Sequence, residues 1–174
     1  DADGAPTWNK LLGDLHELIE RIQPQVIVLP HPRFDPHPDH QCSQQAVMQA
    51  LGATAWQPET LLYYANHLHD NDRWPMGEAG TGVALPPQLT ADEPMRPWAL
   101  GLSGKQQCRK AMALGMMHDL QPRLPLERLL GRARQRCLAA RRWPAYGENE
   151  FFRKTVRRHE LFWVQDLSGK RENN

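Results

Sequence analysis

Asp35-Pro36-His37-Pro38-Asp39-His40 places two imidazoles and two carboxylates within six residues. Imidazole and carboxylate are ordinary ligands of a catalytic zinc, and both also serve in proton transfer near neutral pH. Pro36 and Pro38 flank His37 with fixed φ, which limits where its side chain can point and reduces the entropy lost when a metal or substrate is bound. Taken singly, a loop histidine is ordinarily a surface residue; it is the cluster that argues for a site. His40 is the first candidate for a metal ligand. Asp39 is the candidate carboxylate to hold a ring nitrogen, and His37 the candidate acid or donor to a developing oxyanion. His31 and His118 have no such company and are assigned no role.

A second group follows at His67 and His69, two residues apart, so they share a side if a strand persists through them. There they would contact substrate or, with His40 and Asp70, complete a metal site. Arg73 and Trp74 next to them form a pair suited to hydrogen-bonding and stacking on a sugar.

The elements that must position these residues are legible from periodicity. Trp8, Leu11, Leu12, Leu15, Leu18, Ile19 and Ile22 recur at three- and four-residue steps and predict an amphipathic helix, with Thr7 as its N-cap and Pro24 as its stop. Val26 to Leu29 is a short β-branched run without polar alternation, which predicts a strand covered on both faces. After the proline-rich loop, Cys42, Ala46, Val47, Ala50 and Leu51 predict a second helix ending at Gly52, and Leu61 to Ala65 predict another strand. Both histidine groups then lie beyond carboxyl ends of strands, the edge on which open α/β sheets bind ligands. Asp70 to Pro97 is rich in glycine and proline and predicts a long irregular segment. Trp98 to Leu102 predict a short strand, Ser103 the N-cap of a helix through Cys108, Ala111, Met112 and Gly115, Pro125 to Arg141 a further helix, and Phe151 to Val164 a final strand or packed terminus.

His37-Pro38-Asp39-His40, after a hydrophobic strand and before a helix, resembles the second signature of the LmbE / PIG-L deacetylases, which remove acetyl groups from N-acetylglucosamine-type sugars and related amides. Leu102-Ser103 with Lys105 and Ala111 is similar to that family's late helix. Arg157-Arg158-His159-Glu160-Leu161-Phe162 resembles its terminal Arg-Pro-x-Glu-x-Phe segment. The resemblance implies that His40 ligates zinc, that His37 stabilises the tetrahedral intermediate, and that Asp39 orients a histidine. It also implies an N-acetylated sugar or glycoconjugate substrate and a Rossmann-like layered α/β fold with a mostly parallel sheet. The family's other signature, an N-terminal Ala-His-Pro-Asp-Asp-Glu, is absent from this sequence. The expectation is therefore one LmbE/PIG-L-like domain over residues 1–174, truncated before its first strand and inactive by itself, with the remaining zinc ligands and the water-activating aspartate upstream of Asp1.

Composition bounds the alternatives. The chain has 174 residues, 40% hydrophobic and 24% charged, long enough for a core without disulfides, and no apolar run reaches the ~20 residues that span a bilayer. Asp1 to Pro6 do not have the order of a signal peptide. Cys42, Cys108 and Cys137 are odd in number, form no C-x-x-C spacing and fall at apolar helical positions, which predicts buried thiols in a reducing, cytoplasmic setting. A net charge of +1 gives no global field to recruit nucleic acid. Seven arginines against the single acid Glu127 between Arg123 and Arg142 leave one competing reading, a non-catalytic module that docks an acidic partner or nucleic acid through that helix. Such binding would weaken steeply with salt.

Overall fold

The structure is a computed structural model in which residues 5–69, 71, 74–77, 81–86, 95–115 and 155–168 are described. In chain order the elements are α1 (Trp8–Ile22), β1 (Val26–Pro30), α2 (Pro38–Ala53), β2 (Thr60–Tyr64), β3 (Arg96–Gly101), α3 (Gly104–Gly115) and β4 (His159–Asp166). By its contacts the chain divides into two compact units. One comprises Asp1–Asp72, Pro86–Trp98 and Leu161–Asn174, the other Arg73–Leu85 and Ala99–Glu160. The predicted helix from Pro125 to Arg141, Cys137, His118, Asp70 and Arg73 lie outside the described residues.

The first unit is built on β1, α2 and β2. Thr7 caps α1 as expected, its hydroxyl accepting from the Lys10 N–H at 3.3 Å, and the helix ends at Ile22, two residues before Pro24, with the C-cap Gln23 in the left-handed region at φ 52°. Ile19 of α1 and Ala46, Ala50 and Leu51 of α2 are buried, and the two helices pack on each other. Glu20 of α1 accepts from the Ala55 N–H at 2.6 Å, and Trp56 Nε1 donates to the Pro24 carbonyl at 3.1 Å, which ties the exit of α2 to the end of α1. α2 is the crossover that lets β1 and β2 run parallel, Val26 opposite Thr60 through Pro30 opposite Tyr64. Parallel pairing after a helical crossover puts the carboxyl ends of β1 and β2 on the same edge.

The sheet has four strands in the order β1-β2-β4-β3. Here the expectation of a mostly parallel sheet is corrected. β4 pairs antiparallel with β2, Tyr63 opposite Trp163, so the sheet is mixed. A Rossmann-like layering is not what this sheet order shows; the fold is α/β with an open mixed sheet. The expectation that β1 is covered on both faces is corrected as well. Val26 and Val28 are 49% and 52% exposed while Leu29 is buried, so one face of β1 is packed and the other open.

In the second unit, Ser103 and Gln106 cap α3 reciprocally. The Ser103 hydroxyl accepts from the Gln106 N–H at 3.3 Å, and Gln106 Oε1 accepts from the Ser103 N–H at 2.8 Å. Lys110 of α3 pairs with Glu160. The buried Arg157 guanidinium donates to the carbonyls of Pro75, Thr81 and Gly82, and a Cβ at Gly77 would collide with the guanidinium. The expectation of buried thiols is not met: Cys42 is exposed and Cys108 partly so. The α2 stripe is buried only from Ala46 onward.

Candidate functional site

The described histidine cluster lies in the first unit, where the chain leaves β1 and β2. After Pro30, residues 31–37 turn into α2, which opens with His37 as N-cap and Pro38 as its first residue. Proline is favoured there because its missing N–H would have had no helical partner. His40 falls in the first turn of α2. From β2, the chain runs through Asn66 to His67, the strand having ended at Tyr64. The two exits bring three imidazoles together, with ring centroids 4.7 Å apart for His37 and His40, 5.6 Å for His37 and His67, and 5.6 Å for His40 and His67. His69 lies two residues beyond, exposed, and not on a continuing strand as the spacing argument required.

Beneath this cluster sits Asp35, fully buried. Its Oδ1 accepts from the His37 N–H at 3.2 Å, the two-residue turn that aspartate commonly makes with its own backbone. Its Oδ2 accepts from the Asn66 N–H at 2.8 Å and lies 2.9 Å from His40 Nδ1. That last contact is within ion-pair reach but is not aligned as a good N–H···O bond. The 2.9 Å approach favours the tautomer with the proton on Nδ1, since two facing lone pairs would repel, and that tautomer carries its lone pair on Nε2. Burial pushes the Asp35 carboxyl up, yet the Asn66 N–H, the His40 ring and the His37 N–H outweigh it, and the group is held below the usual carboxylate range.

The carboxylate that holds a histidine is thus Asp35, not Asp39. Asp39 is exposed in the first turn of α2, where negative charge favours the helix N-terminus. Sequence reasoning included Asp35 in the cluster without giving it a role. The signal that identifies it is its place two residues before His37, the spacing of an Asp-initiated turn.

His31 is a second residue the sequence reading passed over. Its ring is fully buried, stacked on Phe34 at 4.1 Å and edge-on to Trp163 at 5.1 Å and Tyr63 at 5.9 Å. Its Nδ1 accepts from the N–H groups of Arg33 at 3.1 Å and Phe34 at 3.0 Å, while its buried Nε2 has no hydrogen-bond partner among the described residues. Burial, with the nearby Arg33 charge adding to it and Asp35 opposing, pushes its pKa down to about 4.

Two imidazoles sharing a tetrahedral zinc through bonds of ~2.0–2.1 Å put their ring centroids about 5 Å apart. The three observed spacings fit that condition. The interplanar angles of 39°, 26° and 28° neither require nor forbid a shared ion, because each lone pair lies in the plane of its own ring. Among the described residues, no three His, Cys, Asp or Glu side chains form a group that could hold a metal ion. What bears on a metal is one imidazole, His40, with its Nδ1 2.9 Å from a buried carboxylate, a placement similar to the carboxylate partner that metal-ligating histidines commonly have. No helix among the described residues is long and apolar enough to cross a membrane. No family model matches this chain, and neither a curated protein nor a solved structure matches it.

Proposed function

We propose that this chain carries the His-Pro-Asp-His half of a zinc-dependent hydrolase that removes acetyl from an N-acetyl sugar or related amide, of the LmbE / PIG-L type its sequence resembles. The observation that carries the reading is the Asp35–His40 contact at the carboxyl edge of β1 and β2, with His37 and His67 beside it. His40 would hold the ion through Nε2. Zinc bound there supplies Lewis acidity toward the amide carbonyl.

The chain's own residues then have separable tasks. Asp35 keeps the proton on His40 Nδ1 and so keeps the other nitrogen a donor to metal. His37, exposed at the N-cap of α2, offers a ring N–H to oxygen that gains negative charge as the carbonyl becomes tetrahedral. His67, from the other strand exit, lines the same spot and contacts the sugar, with His69 and Arg73 as further substrate contacts. The family's water-activating aspartate belongs to the signature absent from this sequence, and none of these residues is assigned that task.

In the full-length protein containing this chain, acetate release from N-acetylglucosamine in the presence of zinc is expected to be abolished by His40→Ala. His37→Ala should lower kcat by ~10²–10³ with little change in KM, the effect of removing one oxyanion donor. Undiminished acetate release from His40→Ala, measured by an enzyme-coupled acetate assay, would remove the basis of the reading.

A further inference from the structure

A fully buried imidazole with one nitrogen unbonded is costly to keep, so its other nitrogen should be serving a need that other side chains serve less well. His31 Nδ1 accepts two consecutive backbone N–H groups, those of Arg33 and Phe34. A hydrocarbon in its place would leave both amides without that acceptor. The ring cannot readily turn the acceptor away, because Phe34 stacks on it and Tyr63 and Trp163 meet it edge-on. The His31 backbone is fixed too, its N–H donating to the Tyr64 carbonyl at 2.6 Å.

The turn closed in this way runs from His31 to Asp35, whose N–H donates to the His31 carbonyl at 3.3 Å. Gln41 of α2 secures the same turn from outside, its side-chain amide donating to the carbonyls of His31 and Asp35. At the end of the turn stands the carboxylate that reaches the Asn66 N–H, the His37 N–H and the His40 ring. We infer that His31 is the positioning residue for this site: its Nδ1 shapes the 31–35 turn that holds the Asp35 carboxylate against His40. It touches nothing that reacts. Its consequence for catalysis rests on the function proposed above, whereas the positional claim requires neither metal nor substrate.

The test reads the His40 tautomer in the zinc-free chain by long-range ¹H–¹⁵N NMR, so that failure of the deacetylase reading leaves it untouched. In the wild type, His40 is expected to be mainly the Nδ1–H form. His31→Phe keeps an aromatic ring but removes the acceptor, and should shift His40 to mainly the Nε2–H form. His31→Asn, whose side-chain oxygen sits close to the place of Nδ1, should restore the Nδ1–H form. A folded His31→Phe chain in which His40 stays mainly Nδ1–H overturns the inference, as does a folded His31→Asn chain that loses it. Should neither variant fold by circular dichroism, hydrogen exchange in the wild type decides: protected Arg33 and Phe34 amides support the inference, and exchange at unprotected rates overturns it.

Discussion

Asp35→Ala is expected to lower the unfolding free energy by about 3 kcal/mol at pH 7, the lower end of the cost of removing one partner from a buried charged contact. The lower end applies because His40 keeps a quarter of its side chain in solvent, at 24% exposure. Two backbone N–H groups, of His37 and Asn66, lose their acceptor in the same substitution. Asp35→Asn should lose less, because one amide oxygen can still serve one of these donors. An unfolding free energy for Asp35→Ala, from urea titration, within about 0.5 kcal/mol of wild type, the range of an ordinary surface change, would mean that the carboxylate does not hold these groups together.

The same carboxylate sets the direction of a pH effect. Its pKa in the folded chain lies below the usual carboxylate value, so its stabilising contribution is fully present above about pH 4 and is lost as pH falls through the lower folded value. Wild type and Asp35→Asn should therefore converge in stability only as pH falls below the usual carboxylate range.

His31 is expected to act in a separate and higher window. Its pKa is lowered from 6.5 to about 4, so between these values the unfolded chain takes up a proton that the folded chain does not. Stability must then fall as pH falls through this window, by about 3 kcal/mol in all, and level off below it. Urea unfolding at half-unit steps of pH measures this slope. His31→Phe, which has nothing to protonate at that position, should flatten it, and an unchanged slope in a folded His31→Phe chain would show that the ring is not held neutral by burial. The two windows separate the two residues: the His31 effect on stability falls between pH 6.5 and about 4, and that of Asp35 below the usual carboxylate value.

Local features of the fold were legible because they depend on near neighbours. The stripe from Trp8 to Ile22 gave α1, Thr7 its cap, and Ser103 the start of α3, each through contacts within three or four residues. The loop with the histidines fell where its flanking patterns put it, between a strand's carboxyl end and a helix. The sheet order was not legible. β4 lies about a hundred residues beyond β2 in the chain and enters antiparallel beside it, with Trp163 opposite Tyr63 and edge-on to His31, neighbours that no local pattern reveals. The apolar run of Val26 to Leu29 suits a strand covered on one face or on two, and only what packs on each face of the sheet decides which.

Within the site, residue types were legible and partners were not. His37 and His40 meet because four residues of helix start join them, and His67 joins them because β1 and β2 end on one edge. Asp35 and Asp39 look alike in sequence. The structure separates them by burial, one underneath the rings and one in solvent. His31 looked like an isolated loop residue because what gives it a task, two amides two and three residues later, exists only once the turn has formed.

Zinc content after exhaustive dialysis, measured by elemental analysis on the full-length protein and on its His40→Ala variant, tests the central claim most directly. The expected result is close to one zinc per chain in the wild type and none retained in the variant. Equal zinc in the two proteins would contradict the assignment of His40 as a ligand.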